Sequence, residues 1–423
     1  MKKLIILLLT FITVALPSYA TVENISLNEA VDIALKNNLE LQARMKDLEI
    51  AKQEIKIANA LKNPQFQSNF LMGRVTRGNS SQFGLAVPIE VAKRGLRKKA
   101  AEAQMKAIEN SLQEYRHKLK VDVMRAYFRI VYLKSVVIIM NEREDLFADM
   151  KKAAQAQPKS SPNYQIELLQ SDIKYKRQLI ELNRAKANLL AAQFNFNKVL
   201  NLPNSDIMYD TEEASLFDDD VEILNVEIPS YDQIEKIALV CSYSLRISDN
   251  YIEKSAYDVK TAVHKRIPDI TIAGGYAYQT KHQTGDVALP GAFVGGNMDI
   301  PILYSYRPEI NKARIVLEKT KMDKVAYENK LKLILKENYN DFKYAKENTG
   351  YYKEILSESE EILKMSYNRY KSGKVPLMNV MLNENAHQQV LNEYIDSIDV
   401  YYQAYLDLMY NMGHDMLLKE DVL

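Results

Sequence analysis

Apolar residues recur at alternating steps of four and three within a stretch of 62 residues, Leu96 to Gln157, that contains neither Gly nor Pro. The stripe consists of Leu119, Val123, Ala126, Ile130, Leu133, Val137 and Met140. The stretch is rich in strong helix formers and predicts one helix of roughly 90 Å at 1.5 Å per residue. The spacing predicts a coiled-coil seam and not a helix buried on all sides.

A second stretch, Glu309 to Ser372, is interrupted only by Gly350 and predicts another helix of similar length. The last helix keeps the four-and-three spacing at Leu391, Tyr394, Ile398, Tyr401, Tyr405 and Leu408. Two such long helices in one chain indicate an elongated pillar.

The halves of the chain repeat one another. Ser26 with Glu29 forms a capping box that opens a helix expected to continue to about Leu61, and Ser230 with Gln233 repeats it 204 residues later. Further matches at the same offset indicate an internal duplication.

Alternating apolar and small residues follow each first helix. Regular alternation from Ile270 to Gln279 predicts a strand, and Gln65 to Met72 shows a less regular form of the same pattern. The strands that return from these two are expected to end near Pro88 and Pro301. Each half therefore carries one β-hairpin. The strand-to-helix junctions align at an offset of 213, and their candidate residues are Pro88, Arg94, Pro301 and Arg307.

The N-terminus predicts export. Two lysines, an apolar run and small residues up to Ala20 form a secretory signal peptide, and Thr21 after the cleavage site predicts that no lipid is attached there. The 56 basic and 55 acidic residues give no support to nucleic-acid binding. Cys241 is the only cysteine, which excludes an intrachain disulfide. No second apolar run approaches the length of a spanning helix.

Five segments follow from these patterns: a signal peptide (1–20), a first repeat (21–203), an acidic linker or equatorial segment (204–229), a second repeat (230–414) and a tail (415–423). The predicted fold class is mainly α with a small β part, in which each repeat reads helix, hairpin, long helix, helix. Hairpins with alternating faces suit a tilted strand in a bilayer, where open sheet edges are not tolerated. Because four strands cannot close a barrel, identical copies must pool their strands.

Three segments carry a resemblance that covers nearly the whole mature chain: SLNEAVDIALKNNLEL, PIEVAKRGLRKKAAEAQ and NRYKSGKVPLMNVMLNENAHQQVLNEYIDSIDVYYQAYLDLMYNMG. They resemble the TolC family of outer-membrane efflux channels. The resemblance implies a homotrimer with a twelve-stranded barrel in outer-membrane lipid, continuous with a periplasmic helical coiled-coil barrel. It also implies partners, namely a periplasmic adaptor (membrane fusion protein) and an inner-membrane RND or ABC transporter.

The cargo stays open. KRGLRKKAAEA and SSPNYQIELLQ resemble the heavy-metal, CzcC-type branch and favour metal cations, with drug efflux and type I protein secretion as alternatives. A periplasmic coiled-coil scaffold or adaptor is the alternative of a different class, although it does not require two matched hairpins.

In the family, the second helix turn narrows the periplasmic mouth and meets the adaptor. The resemblance places Tyr370 and Gly373 at the family's Tyr and Gly positions in this turn. Pro162, Arg369 and Pro376 are the further candidates for a tip role in docking or gating. The alternative is that Gly373 and Pro376 merely end a helix. The predicted closed state is a constriction near residues 158–166 and 369–382.

No catalytic motif is present, so no enzyme, cofactor or resident metal is expected. The five histidines include no pair at helical spacing, and methionines at that spacing are expected to fill the core. Lipid-facing or interfacial positions are expected for Phe66, Phe70, Phe83, Tyr276, Tyr278 and Phe293, with packing inside the assembly as the alternative.

Overall fold

The structure is a computed structural model that describes residues 21–71, 80–156, 159, 164–202, 207–216, 229–279 and 289–413. The described residues fall into two compact units. One contains residues 42–114 and 242–331, and the other contains residues 21–41, 115–241 and 332–413, apart from the gaps given above.

The first half of the chain contains β1 (Thr21–Ile25), α1 (Leu27–Asn37), α2 (Leu39–Ala58), β2 (Gln65–Leu71), β3 (Ser80–Ile89), α3 (Arg94–Ala156), α4 (Tyr164–Val199) and β4 (Ile207–Thr211). The second half contains α5 (Tyr231–Cys241), α6 (Tyr243–His264), β5 (Ile270–Gln279), β6 (Leu289–Met298), α7 (Arg307–Lys371) and α8 (Leu377–Met412). The predicted order of helix, hairpin, long helix and helix is present in both halves.

The long helices α3 and α7 span 63 and 65 residues, which confirms both predictions to within a few residues at each end. The expectation of a narrow seam on α3 is wrong between Val121 and Ser135. Apart from Asp122, Arg125, Arg129, Tyr132 and Lys134, the side chains of this segment are buried. Here α3 is a core helix, because it packs against elements on several sides.

The first helix of each half is broken, contrary to the expectation of one continuous helix from Ser26 to about Leu61. Asn38 separates α1 from α2, and its Oδ1 accepts a hydrogen bond from the backbone N–H of Leu41 at 2.7 Å. Ser242 separates α5 from α6, and its Oγ accepts from Leu245 N–H at 3.4 Å. The two breaks lie 204 residues apart, so both halves keep a capping residue at the same place. Its side chain accepts a hydrogen bond from the next helix's backbone and so ends the preceding helix.

A parallel strand pair that the sequence pattern did not indicate joins the N-terminus to the acidic stretch. β1 pairs with β4 in register from Thr21 with Ile207 to Ile25 with Thr211. The Tyr127 hydroxyl donates to Ile25 O at 3.0 Å, and Lys134 Nζ donates to Thr211 O at 2.7 Å. Part of the stretch expected to be a linker or an irregular belt is therefore a strand held against α3.

The predicted seam of α8 is confirmed, because five of its six residues are buried and Leu391 is half-buried. Aromatic rings fill this core, with Phe342 of α7 stacked on Tyr401 at a centroid distance of 4.9 Å. Rings this close add attraction beyond the area they bury.

Candidate functional site

The four strands of the two hairpins form one antiparallel sheet in the order β2-β3-β5-β6. The central pair β3 and β5 joins the two halves of the chain, with Ser80 opposite Gln279 and Ile89 opposite Ile270. β2 and β6 are the edge strands, and neither has a second strand partner among the described residues. Two rows of backbone hydrogen-bonding groups are thus left for other strands.

One face of this sheet is apolar and exposed. The pairing register places on it Phe66, Phe70, Phe83, Leu85, Val87, Ile89, Ile270, Ile272, Tyr276, Tyr278, Val294 and Met298. All twelve are exposed in the single chain. Five of the six aromatic residues predicted to face lipid lie on this face, which we name the apolar face.

Phe293 is the exception, because it lies on the opposite face among Gly84, Gly275 and other small residues. A Cβ atom added to Gly84 would stand 2.9 Å from Phe293 Cζ, so the ring covers this glycine. Phe293 therefore does not share the apolar face with the other five aromatic residues. An aromatic ring over a strand glycine supplies packing that the glycine itself cannot give.

The strand-to-helix junctions connect this sheet to α3 and α7. Pro88 lies in β3 opposite Thr271, Pro301 lies in a tight turn where Ile302 N–H donates to Ile300 O, and Arg94 and Arg307 begin the helices. Ala92 and Tyr306, just before these helices, have φ angles of +59° and +56°. Non-glycine residues in this region are uncommon and mark a sharp change of chain direction.

A charged network holds the first junction. Asp269 precedes β5 and accepts hydrogen bonds from Lys93 Nζ at 2.9 Å and from Val91 N–H at 3.4 Å. Burial alone would raise the pKa of Asp269, but the ammonium groups of Lys93 and Lys62 hold it below its usual range. Arg97 pairs with Glu90 at 2.6 Å. The second half of the chain thus fixes the start of the long helix of the first half.

The turn between α7 and α8 carries four of the five predicted tip residues; the fifth, Pro162, lies outside the described residues. Gly373 has φ +69°, its N–H donates to Tyr370 O, and Lys374 N–H donates to Arg369 O. These two bonds form a Schellman motif, which requires a left-handed residue at Gly373. Pro376 is the N-cap of α8 and has an extended conformation.

The turn separates an anchor from an exposed surface. Tyr370 is buried in an apolar cluster with Phe147, Met150, Leu377, Val380 and Met381, and Val375 packs against it. Arg369, Lys371 and Lys374 are exposed. The structure thus brings Tyr370 and the residues after Pro376 into one core while the turn presents positive charge to solvent.

A buried ion pair between α3 and α8 was missed by the sequence analysis. Arg143 Nε and Nη2 lie 2.8 and 2.7 Å from Oε1 of Glu384, whose side chain is 2% exposed. Oε2 of Glu384 is also buried and accepts no hydrogen bond from the described residues. Burial lowers the pKa of nearby His387, whose Nδ1 lies 2.9 Å from Ser359 Oγ. No sequence spacing links residues 143 and 384, so only the fold reveals this pair.

The described residues contain no group of three or more His, Cys, Asp or Glu side chains that could hold a metal ion. None of the described helices combines the length and the apolar character needed to cross a membrane. Of the methionines at helical spacing that were expected to fill the core, Met381, Met409 and Met412 are buried, while Met378 is exposed.

Comparisons with known structures show the fold. A scan against protein-family models gives no match, and neither does a sequence search of curated proteins. The channel protein CusC is similar in structure, with a TM-score of 0.76, 13% identity and coverage of 93% of each chain. The open state of the Neisseria gonorrhoeae MtrE outer-membrane channel gives a TM-score of 0.73 and 13% identity over 92% of this chain and 89% of that chain.

The Vibrio cholerae outer-membrane protein VceC gives a TM-score of 0.70 and 13% identity over 92% of this chain and 96% of that chain. The chain therefore has the fold of the TolC-type outer-membrane channels, which confirms the resemblance seen in the sequence.

Proposed function

We propose that this protein is the outer-membrane exit duct of a tripartite efflux system. Three copies form a channel that passively conducts substrates, which an inner-membrane RND or ABC transporter delivers through a periplasmic adaptor. The observation that carries the proposal is the four-stranded sheet with an exposed apolar face and two open edges. A sheet exposing twelve large apolar side chains on one face suits lipid better than water.

The strand directions also support the proposal. All neighbouring strands are antiparallel, so β2 and β6 run in opposite directions and β6 of one copy can pair with β2 of the next. Three copies would give twelve strands, which lies within the sizes known for closed barrels in outer membranes. The small residues of the opposite face would then line the barrel.

Planar-bilayer conductance, measured on the detergent-purified protein together with its oligomer mass, tests this proposal. We expect a trimer that conducts ions and that fractionates with the outer membrane. A soluble, non-conducting monomer or dimer would overturn the channel and favour a periplasmic scaffold or adaptor, the alternative of a different class.

For the cargo, we propose metal cations, supported by the two segments that resemble the heavy-metal branch. A deletion strain should then be more sensitive to divalent metals than its parent and equally sensitive to drugs. Sensitivity to drugs alone, or loss of a secreted protein, would assign the channel to drug efflux or type I secretion instead.

For the helix turn, we propose adaptor docking and gating. The buried Tyr370 fixes the turn, and the exposed Arg369, Lys371 and Lys374 would offer a positive surface to the adaptor. The closed state would be a constriction near residues 158–166 and 369–382, which adaptor contact opens. Reversing the charge of Arg369 should weaken cross-linking to the adaptor while conductance of the isolated trimer persists.

A further inference from the structure

We infer that the two strand-to-helix junctions form a binding surface for the headgroups of anionic phospholipids, an inference that rests on the proposed function. This junction surface consists of the segment Ile300–Tyr304, Arg94 at the start of α3, and Arg307, Lys312 and Arg314 at the start of α7. All of these residues belong to one compact unit.

The first part of the junction surface is apolar. Ile302, Leu303 and Tyr304 follow β6 and are exposed, with Leu303 at 102% of its reference accessible area. Ile300, two residues beyond Met298 of the apolar face, is exposed as well. Exposing consecutive large apolar side chains to water is unfavourable. Because these side chains follow the last strand of the sheet, they would contact the same membrane as its apolar face.

The second part of the junction surface is positive. Three segments meet here, because His264 Nδ1 lies 2.9 Å from Ala92 O and Arg266 Nε donates to Ser305 O at 2.9 Å. Residues 89–102, 264–269 and 299–314 together contain ten Lys and Arg against five Asp and Glu. The whole chain is nearly neutral, with 56 basic and 55 acidic residues, so this surplus is local. A local surplus of positive charge favours binding of an anionic ligand over a neutral one.

Most acidic side chains of these three segments form ion pairs with neighbouring lysines or arginines, but several of the basic side chains take no part in these pairs. Glu90 pairs with Arg97, Asp269 pairs with Lys93, and Glu309 pairs with Lys265. Among the described residues no side-chain partner is found for Arg94, Arg307, Lys312 and Arg314. Arg307, Lys312 and Arg314 are also exposed. These four cations can therefore bind a ligand without breaking an existing pair.

Anionic phospholipid is the ligand that fits both parts. A guanidinium group binds phosphate oxygens through two parallel hydrogen bonds, and ammonium groups add attraction at the membrane surface. A free phosphate ion would use the cations but not Ile302, Leu303 or Tyr304. A lipid engages both, because its acyl chains lie against the apolar residues while its headgroup meets the arginines.

The test measures the thermal unfolding midpoint of the purified full-length trimer in detergent with added phosphatidylglycerol or phosphatidylcholine, and counts retained lipids by native mass spectrometry. We expect phosphatidylglycerol to raise the midpoint more than phosphatidylcholine does, an excess that high salt removes. The double variant Arg94→Gln with Arg307→Gln should lose most of this excess and several-fold of the retained phosphatidylglycerol. Leu303→Ser should reduce retention of both lipids.

The matched control is Lys321→Gln with Lys330→Gln, which removes the same charge from exposed positions further along α7. It should retain lipid as the wild type does. The inference would be overturned if both lipids raised the midpoint of the wild type equally, or if both double variants lost the same amount of retained phosphatidylglycerol. It would also be overturned if inorganic phosphate alone raised the midpoint as much as phosphatidylglycerol does. A conducting trimer without lipid preference refutes only this inference, whereas a soluble protein that forms no trimer refutes the proposed function.

Discussion

Glu384 and Arg143 form an ion pair whose carboxylate has lost nearly all contact with water. Removing one partner of such a pair leaves a buried charge uncompensated. We therefore expect Glu384→Ala to destabilise the α3–α8 contact by about 3 kcal/mol. A lower thermal unfolding midpoint, followed by circular dichroism, measures the effect.

Two variants control this prediction. Arg143→Met with Glu384→Met removes both charges together and should recover most of the lost stability, since apolar side chains of similar size can replace a buried pair. Asp149→Ala removes one partner of the exposed pair with Lys152 and should change the midpoint little. If Glu384→Ala shifted the midpoint no more than Asp149→Ala does, the pair would contribute little to stability.

Gly373 is required for its backbone and not for space. A Cβ atom added there meets no atom within 4 Å, but the φ of +69° disfavours most side chains and above all branched ones. We expect Gly373→Val to disturb the turn and to reduce export in a complemented deletion strain, with trimers intact. Gly373→Asn should retain export, because Asn tolerates this conformation. Equal export by both variants would mean that the turn geometry does not matter for export.

At the scale of elements, the sequence predicts helices whose signal lies within one stretch, but it does not predict pairing between distant strands. The long helices α3 and α7 follow from long stretches that are almost free of Gly and Pro, a property visible within each stretch. The parallel pair of β1 with β4 joins residues 186 positions apart, from Thr21 with Ile207 to Ile25 with Thr211, and neither strand alternates clearly. The breaks at Asn38 and Ser242 depend on a single side-chain cap, which apolar periodicity does not register.

The site residues divide in the same way. Regular alternation within β5 predicted one apolar face, and the pairing register places Ile270, Ile272, Tyr276 and Tyr278 together on it. β6 is rich in glycine, so its own sequence does not show which residues share a face. Only its pairing with β5 reveals that Phe293 lies on the face opposite the apolar face. Gly373 and Pro376 were recognisable from their own chemistry, whereas the Arg143–Glu384 pair depends on how α3 and α8 pack.

The centre of the sheet depends on close backbone approach between β3 and β5. A Cβ atom added to Gly275 would lie 2.0 Å from Phe83 O, a backbone atom that can move only with its strand. We expect Gly275→Ala to reduce assembly of folded protein in the outer membrane severely. Gly295→Ala is the matched control on β6, where an added Cβ meets nothing within 4 Å. Similar levels of heat-resistant oligomer in the two variants would contradict the prediction.

At the scale of the whole molecule, β2 and β6 are the edges of the sheet, and each has only one neighbouring strand within the described part of the chain. In the proposed trimer, β6 of each copy pairs with β2 of the next. Ser68 and Val294 lie near the middle of these strands, and the register places both on the apolar face. Side chains on one face of neighbouring strands come within cross-linking distance of each other.

Introducing Ser68→Cys and Val294→Cys in one chain, with Cys241→Ala to remove the native thiol, should therefore yield covalent dimers and trimers. A short thiol cross-linker added to whole membranes, followed by denaturing electrophoresis, measures the products. Each single cysteine variant is the control and should remain monomeric, since β2 is expected to adjoin β6 and not another β2. Cross-linked species from Ser68→Cys alone would show that β2 strands pair with each other, and the proposed closure would be wrong.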